Sequence, residues 1–217
     1  FDNPIGYTWQ IWNGADWDNN QKGTSTYDAN NNMLTEQVQE WDGSNWENTF
    51  IITYAYNQSG LQTLYVHQYW NGEDWENLWQ KVYTYDAHGN LTHELNQDWN
   101  LDHWENASEN SYVYNENNLL QSSITQMDNG AELVNTETTY TYNTEDKLVS
   151  ESSHTWGNSW SDYYQTLYTY DGNKNLINIL KQAKNGEIFE NTSQTIYTYD
   201  GSLKPASILN QVWKENA

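Results

Sequence analysis

The sequence predicts an all-β fold: an antiparallel meander of about 15 strands, built from seven β-hairpin repeats of 28 to 29 residues. Two recurring signals indicate these hairpins. One is a short turn flanked by tryptophans, as in Trp70-Asn-Gly-Glu-Asp-Trp75, where Asn and Gly tolerate the positive φ of a tight turn. The other is Tyr-x-Tyr followed by Asp or Asn, which marks the opposite end of each repeat. Helices are not expected, because turn residues recur too often for a helix of ordinary length.

The tryptophan turn places one hairpin in each repeat. Its clear copies are Trp12–Trp17, Trp41–Trp46, Trp70–Trp75 and Trp99–Trp104, and its weaker copies are 128–133, Trp156–Trp160 and 184–189. Aromatic residues in such a column either form a core or offer flat stacking surfaces to a ligand. Both roles are open for Trp17, Trp41, Trp46, Trp70, Trp75, Trp99, Trp104 and Trp160.

The tyrosine pairs set the period, because their last members stand at positions 27, 56, 85, 114, 142, 170 and 199. We therefore expect residues 1–217 to form one continuous repeat array with partial repeats at both ends. Open sheets of more than about ten strands tend to curl or split. The sheet is thus expected to curl into a spiral, shell or barrel-like form, with an open, twisted single layer as the alternative.

Each tyrosine pair precedes a turn that begins with Asp or Asn, as in Asp86-Ala-His-Gly89. Such side chains accept hydrogen bonds from turn amides, and capping is the expected role, with calcium (Ca²⁺) binding as the alternative. No other cofactor is expected. The chain has no cysteine, and its five histidines fall in different repeats or at different repeat positions.

The turns also predict the register of the strands. If Trp70 and Trp75 face each other, Gln68 and Asn77 face each other two residues further out. The same arithmetic predicts a ladder of amide pairs: Gln10–Asn19, Gln39–Asn48, Gln68–Asn77, Gln97–Asn106, Gln126–Asn135 and Gln182–Asn191. In the remaining hairpin the pair becomes His154 and Asp162. We expect a variant rung joined by a hydrogen bond or ion pair, with a catalytic dyad as the alternative.

This register assigns the two faces of the sheet. It places Met33 opposite Tyr54, on the face that carries the tryptophans and amides. The opposite face, with Glu36 and Glu94, is expected to be solvated. One residue fewer separates Leu133 from Tyr140 than in the other repeats, which predicts an irregularity there.

Composition limits the partners. The 30 acidic and 8 basic residues give a formal net charge of -22, which predicts no binding to nucleic acid or to anionic lipid. Membrane insertion is not expected, because neither a long apolar run nor an apolar face is present. The 13 tryptophans and 18 tyrosines, arranged periodically, indicate an ordered chain.

The unit Tyr83-Thr-Tyr-Asp-Ala-His-Gly-Asn-Leu91, with its tryptophan turn, resembles the tyrosine-aspartate (YD, or RHS-type) repeats. The whole unit is most similar to repeats in large secreted or surface proteins of Bacteroidetes, often exported by the type IX system. The resemblance implies a secreted or cell-surface location. It also implies strands that spiral into shells or barrel-like stalks, which enclose or display other domains.

Catalysis is not expected, because almost every polar residue belongs to a recurring column, whereas an enzyme needs a unique site. A non-catalytic stalk, scaffold or surface adhesin is the expected function. One alternative is binding of an extracellular polysaccharide by the Trp/Tyr and Gln/Asn columns. Another is end-to-end assembly with neighbouring repeats or copies of itself through the terminal strands.

Overall fold

The computed structural model describes residues 5–128, 133–157, 161–201 and 204–213. The regular elements there are all β-strands: β1 (Gly6–Trp12), β2 (Trp17–Tyr27), β3 (Met33–Trp41), β4 (Trp46–Tyr56), β5 (Gln62–Trp70), β6 (Trp75–Tyr85), β7 (Leu91–Asn100), β8 (His103–Tyr114), β9 (Leu120–Asp128), β10 (Leu133–Tyr142), β11 (Leu148–Trp156), β12 (Ser161–Tyr170), β13 (Leu176–Asn185), β14 (Ile188–Tyr199) and β15 (Pro205–Val212). No helix in the described ranges is long and apolar enough to cross a membrane.

The strands follow one another in the sheet in the order of the chain, from β1 to β15. The predicted all-β meander is therefore confirmed. The strand order is linear and ends at β1 and β15, so the sheet of the described residues is not closed, as in the open alternative. The chain divides into two compact units, Phe1–Glu109 and Asn110–Ala217, called here the first and second unit.

Two kinds of turn connect the strands, and in both the leading Asn or Asp organises the loop. At the tryptophan turn after β5, the Asn71 side chain accepts hydrogen bonds from the amides of Glu73 and Asp74 at 2.8 and 2.9 Å. Gly72 has a φ of 104° there, a conformation that favours glycine. At the tyrosine end, the Asp86 carboxylate accepts hydrogen bonds from the backbone amides of His88 and Asn90 at 2.8 and 2.9 Å.

A β-bulge next to the amide pair explains why some repeats have 29 residues and others 28. In β3/β4, Gln39 opposes Asn48 but Val38 opposes Phe50, which leaves Thr49 as an extra residue. The same shift occurs in β1/β2, β5/β6 and β13/β14. The hairpins β9/β10 and β11/β12, which lie in the 28-residue repeats, pair without it. The expected irregularity of the short repeat is therefore wrong: the additional residue of the longer repeats forms the irregularity.

The bulge also places the tyrosines on the face opposite the amides. Directly opposed residues share a face, and successive residues alternate between faces. Gln39 and Asn48 therefore share one face with the tryptophans, called here the amide face. Glu36 opposes Ile52, and Tyr54 follows on the same side, called here the tyrosine face. The expected contact of Met33 with Tyr54 is wrong, because an unbulged register was assumed; Met33 opposes Tyr27.

The tyrosine face carries the core of the first unit. Val38 is 1% exposed and Ile52 is 9% exposed. Tyr54 packs edge-on against Tyr65 with ring centroids 5.3 Å apart, and Tyr65 stacks on Trp79 at 4.7 Å. The expectation that the face of Glu36 is simply solvated is therefore wrong. Burial, reinforced by Tyr65 and Glu36, raises the pKa of Tyr54 to about 12.

In four repeats the second tyrosine of the pair closes the open end of its own hairpin through a hydrogen bond, called here the tyrosine clasp. In the first unit, the Tyr85 hydroxyl donates a hydrogen bond to the Gln62 carbonyl at 2.8 Å, joining the end of β6 to the start of β5. The same bond occurs in the second unit from Tyr142 to Leu120 at 2.8 Å, from Tyr170 to Leu148 at 2.9 Å and from Tyr199 to Leu176 at 2.8 Å. This bond explains why the position holds tyrosine rather than phenylalanine.

Candidate functional site

The amide pairs form as the register predicts. In each pair the Gln Nε2 donates to the Asn Oδ1, so the two side chains join the strands of one hairpin. The distances are 3.1 Å for Gln10–Asn19, 2.8 Å for Gln39–Asn48, 3.0 Å for Gln68–Asn77, 2.8 Å for Gln97–Asn106, 2.8 Å for Gln126–Asn135 and 2.9 Å for Gln182–Asn191. Part of this ladder continues between hairpins, because Gln80 Nε2 donates to Gln97 Oε1 at 2.7 Å.

Four tryptophan pairs stand beside the amides at the turn ends of the first unit. Each pair meets edge to face, the geometry that the ring quadrupoles favour. The centroid distances are 5.4 Å for Trp12–Trp17, 5.2 Å for Trp41–Trp46, 5.1 Å for Trp70–Trp75 and 4.9 Å for Trp99–Trp104. Trp12 and Trp17 are more than half exposed, whereas the other six are partly buried. The tryptophans thus pack on each other and still present ring surface to solvent.

Polar groups surround the third tryptophan turn. The Tyr69 hydroxyl and the Asn71 side-chain amide both donate to the Glu76 carboxylate. These hydrogen bonds hold the pKa of Glu76 below its usual value, and the bond to Glu76 raises the pKa of Tyr69. Tyr69 and Glu76 form the opposed pair next to Trp70 and Trp75, so this network lies on the face of the hairpin opposite the tryptophans.

The predicted pair of His154 and Asp162 does not form. Trp156 opposes Ser161, so His154 opposes Tyr163 and Asp162 opposes Thr155. The prediction took Trp160 as the partner of Trp156 and thereby shortened the loop by one residue. The loop in fact keeps the four-residue length found at Trp70–Trp75, a signal that was present in the sequence. Trp160 itself lies outside the described residues.

His154 instead belongs to a stack of side chains. Its ring lies 3.7 Å from that of Tyr163 at an interplanar angle of 9°, and 4.5 Å from that of Trp156. Its Nε2 is 3.0 Å from the Ser161 hydroxyl. Within the described ranges no carboxylate hydrogen-bonds to His154, so neither the variant rung nor the His154–Asp162 dyad is present.

The acidic residues of the tyrosine-end turns act as caps. The carboxylates of Asp28, Asp86 and Asp171 accept hydrogen bonds from the side chain and backbone of the asparagine four residues later, and these bonds lower their pKa values. The capping prediction is confirmed for these turns. In the described part of the chain, no group of three or more His, Asp or Glu residues could hold a metal ion.

Comparison with known proteins shows distant likenesses to two solved structures. No family model matches the chain, and no curated protein matches it. A crystal structure of a DUF3836 family protein from Bacteroides vulgatus aligns over 45% of this chain and 87% of its own, with 22% identity and a TM-score of 0.27. That of a porin-like protein from Bacteroides uniformis aligns over 96% of this chain and 95% of its own, with 9% identity and a TM-score of 0.36.

Proposed function

We propose that this chain is a non-catalytic extracellular repeat module that serves as a structural scaffold or surface adhesin. The observation that carries the proposal is the recurrence of the same contacts in successive hairpins. Amide pairs, capped turns and tyrosine clasps return at corresponding positions, and each joins strands of the sheet itself. Residues used in this way stabilise a long sheet, whereas catalysis needs groups that converge once on a reacting atom.

The amide ladder provides the test of the structural role. Gln97 accepts a hydrogen bond from Gln80 and donates one to Asn106. Gln97→Ala removes both and leaves two amides short of partners, so we expect a loss of about 1 to 3 kcal/mol in the free energy of unfolding. Denaturant unfolding followed by tryptophan fluorescence measures it, with the exposed turn variant Gln58→Ala as control. A Gln97→Ala protein as stable as the control contradicts the structural role of the ladder.

The extracellular location has its own test. Antibody against the chain should label intact cells of the organism that produces it, or detect the protein in the medium. Signal that appears only after lysis overturns this part of the proposal. The acidic surface, with a formal net charge of -22, keeps neighbouring molecules apart in solution and suits an exposed module.

A second candidate function is binding of an extended polysaccharide along the first unit. The specific observation is the set of four edge-to-face tryptophan pairs, each beside a Gln–Asn pair on the same face. Two strands advance about 9.5 Å across a sheet, which is comparable to the disaccharide step of an extended β-linked polysaccharide. Repeated weak contacts at this spacing add by multivalency.

Affinity electrophoresis in gels containing soluble β-linked glycans tests this candidate. Retardation of the wild type should disappear in Trp75→Ala and persist in Trp9→Ala. Trp9 is a fitting control, because it is 62% exposed and lies on the face opposite the adjacent Gln10. The candidate fails if no glycan in the panel retards the wild type, or if Trp9→Ala removes retardation as completely as Trp75→Ala.

A further inference from the structure

The hairpin β11/β12 is the one place among the described hairpins where the amide pair is replaced. The Gln position holds His154 and the Asn position holds Tyr163. The two rings stack on each other on the amide face of the second unit, and the Nζ of Lys184 lies over the Tyr163 ring, 4.7 Å from its centroid.

A groove of about 310 Å³ lies beside this stack, lined by Glu137, Ser152, His154, Tyr163 and Phe189 among others. Its volume is at the lower end of the range for small-molecule sites, roughly 300 to 1,000 Å³. Glu137 opposes His154 across β10/β11. Phe189 opposes Lys184 across β13/β14 and is 39% exposed. The groove therefore combines the Glu137 carboxylate, the His154 imidazole and the solvent-exposed ring of Phe189.

Two groups in the groove retain unused hydrogen-bonding capacity. Among the described residues, the Glu137 carboxylate forms no hydrogen bond or ion pair. Its lone pairs are therefore available to a ligand. The Ser152 hydroxyl accepts a long bond of 3.4 Å from Gln165 Nε2, which leaves its hydrogen free to donate. A partly buried carboxylate without a partner is costly, and a ligand rich in hydroxyls satisfies it.

We propose that this groove binds a neutral sugar residue. Glu137 accepts hydrogen bonds from adjacent hydroxyls, Ser152 donates one, and the Phe189 ring packs against the apolar face of the pyranose. Glu137 disfavours anions, and the polar lining disfavours purely apolar ligands. The site is separate from the tryptophan pairs and does not rest on the scaffold function.

Saturation-transfer NMR and isothermal titration of the full chain test the proposal, with glucose, galactose, mannose, cellobiose and lactose as probes. Choline is included as a cationic probe. At least one sugar should bind with a Kd of about 1 mM, and both Glu137→Gln and Phe189→Ala should weaken it at least about tenfold, the loss of roughly one charge-assisted contact. The exposed turn variant Glu116→Gln and the variant Trp75→Ala should bind as the wild type does.

A rebuilt hairpin separates binding from folding. His154→Gln combined with Tyr163→Asn restores the amide pair that the equally unbulged β9/β10 forms between Gln126 and Asn135 at 2.8 Å. The double variant should keep the melting temperature of the wild type and lose sugar binding more than about tenfold. The proposal is overturned if no sugar binds, if choline binds in preference to every sugar, or if the rebuilt hairpin or Glu137→Gln retains the full sugar affinity.

Discussion

The two units share one hairpin frame but differ at the tryptophan end of the hairpins. Four tryptophan pairs occupy that end in the first unit. The corresponding pairs of the second unit are Asp128 with Leu133, Trp156 with Ser161 and Lys184 with Phe189. Since the hairpins of the second unit form without a tryptophan pair, such a pair is not a requirement of the frame. What the first unit gains from its pairs is aromatic surface beside every amide pair.

The units also differ on the tyrosine face. Val38 of β3 is buried in the first unit, and Ser153 holds the corresponding position of β11 in the second. Among the residues that the structure describes, the Ser153 hydroxyl accepts only a long hydrogen bond of 3.4 Å from Thr138. The apolar contribution to stability is therefore concentrated in the first unit, and the four predictions below test that asymmetry and its limits.

The largest effect is expected at Val38. Val38→Ala removes two buried carbons and leaves a small cavity, so the free energy of unfolding should fall by about 2 kcal/mol. Ser153→Ala, the matched change in the second unit, should cost less than about 1 kcal/mol. Urea unfolding followed by far-ultraviolet circular dichroism measures both variants, because the strands of both units contribute to that signal. Equal losses in the two variants contradict a core concentrated in the first unit.

The second largest effect is expected at alkaline pH, where ionisation of buried tyrosines should lower the free energy of unfolding of the first unit. Burial raises the pKa of Tyr54 to about 12 in the folded state, whereas an exposed tyrosine has a pKa of 10.0. The folded state therefore holds more protons between these values, and its stability falls as pH rises. The contribution is complete below pH 10 and is lost as pH rises through about 12. Burial also raises the pKa of Tyr65 and Tyr83.

Ultraviolet titration of tyrosinate measures this effect. The folded protein should show a group of phenols that ionise late and together with unfolding, and Tyr54→Phe should reduce that group by one. If all the phenols of the folded protein ionise near pH 10, the expected coupling between burial and ionisation is absent.

How much of this the sequence could predict depends on the element. The Trp70–Trp75 turn defined the hairpin and the Gln68–Asn77 pair, because turn type and strand alternation act over a few residues. The tyrosine face was missed because one bulge residue, Thr49, moves every later side chain of β4 to the opposite face of the sheet. Whether the extra residue of a 29-residue repeat enters a loop or a bulge depends on packing between strands. The 28- and 29-residue spacings were visible, but only the structure shows which repeats are regular.

His154 shows the same limit at a candidate site. A histidine in a glutamine column was recognisable as a departure, but its partner was misassigned through one loop residue. The groove beside it is lined by side chains from four strands, β10, β11, β12 and β14, and Glu137 and Phe189 have no local sequence signal that connects them. Register on four successive strand pairs must be right before such a site can be predicted.

The tyrosine clasps are expected to contribute equally to the stability of the two units. They therefore mark a feature in which the two units do not differ. Tyr85→Phe in the first unit and Tyr170→Phe in the second each remove one hydrogen bond to a backbone carbonyl while keeping the ring. Each should lower the free energy of unfolding by about 1 kcal/mol. Hydrogen exchange of the amides near Gln62 and Leu148 locates the effect. A large loss in one unit with none in the other shows that the clasp is not a common element of the frame.

The smallest effect concerns a turn that both units form with two residues between the strands. Leu101 lies between β7 and β8 with a φ of 57°, and Gly186 lies between β13 and β14 with a φ of 61°. A leucine in this left-handed region costs about 1 kcal/mol, part of which the greater chain entropy of glycine offsets. Leu101→Gly should therefore stabilise the first unit by roughly 0.5 kcal/mol, and Gly186→Leu should destabilise the second by a similar amount. Leu101 is 91% exposed, so the change removes no core contact. The shift in melting temperature therefore measures the effect of the backbone conformation alone. A destabilised Leu101→Gly protein instead assigns that leucine a packing role that its exposure does not show.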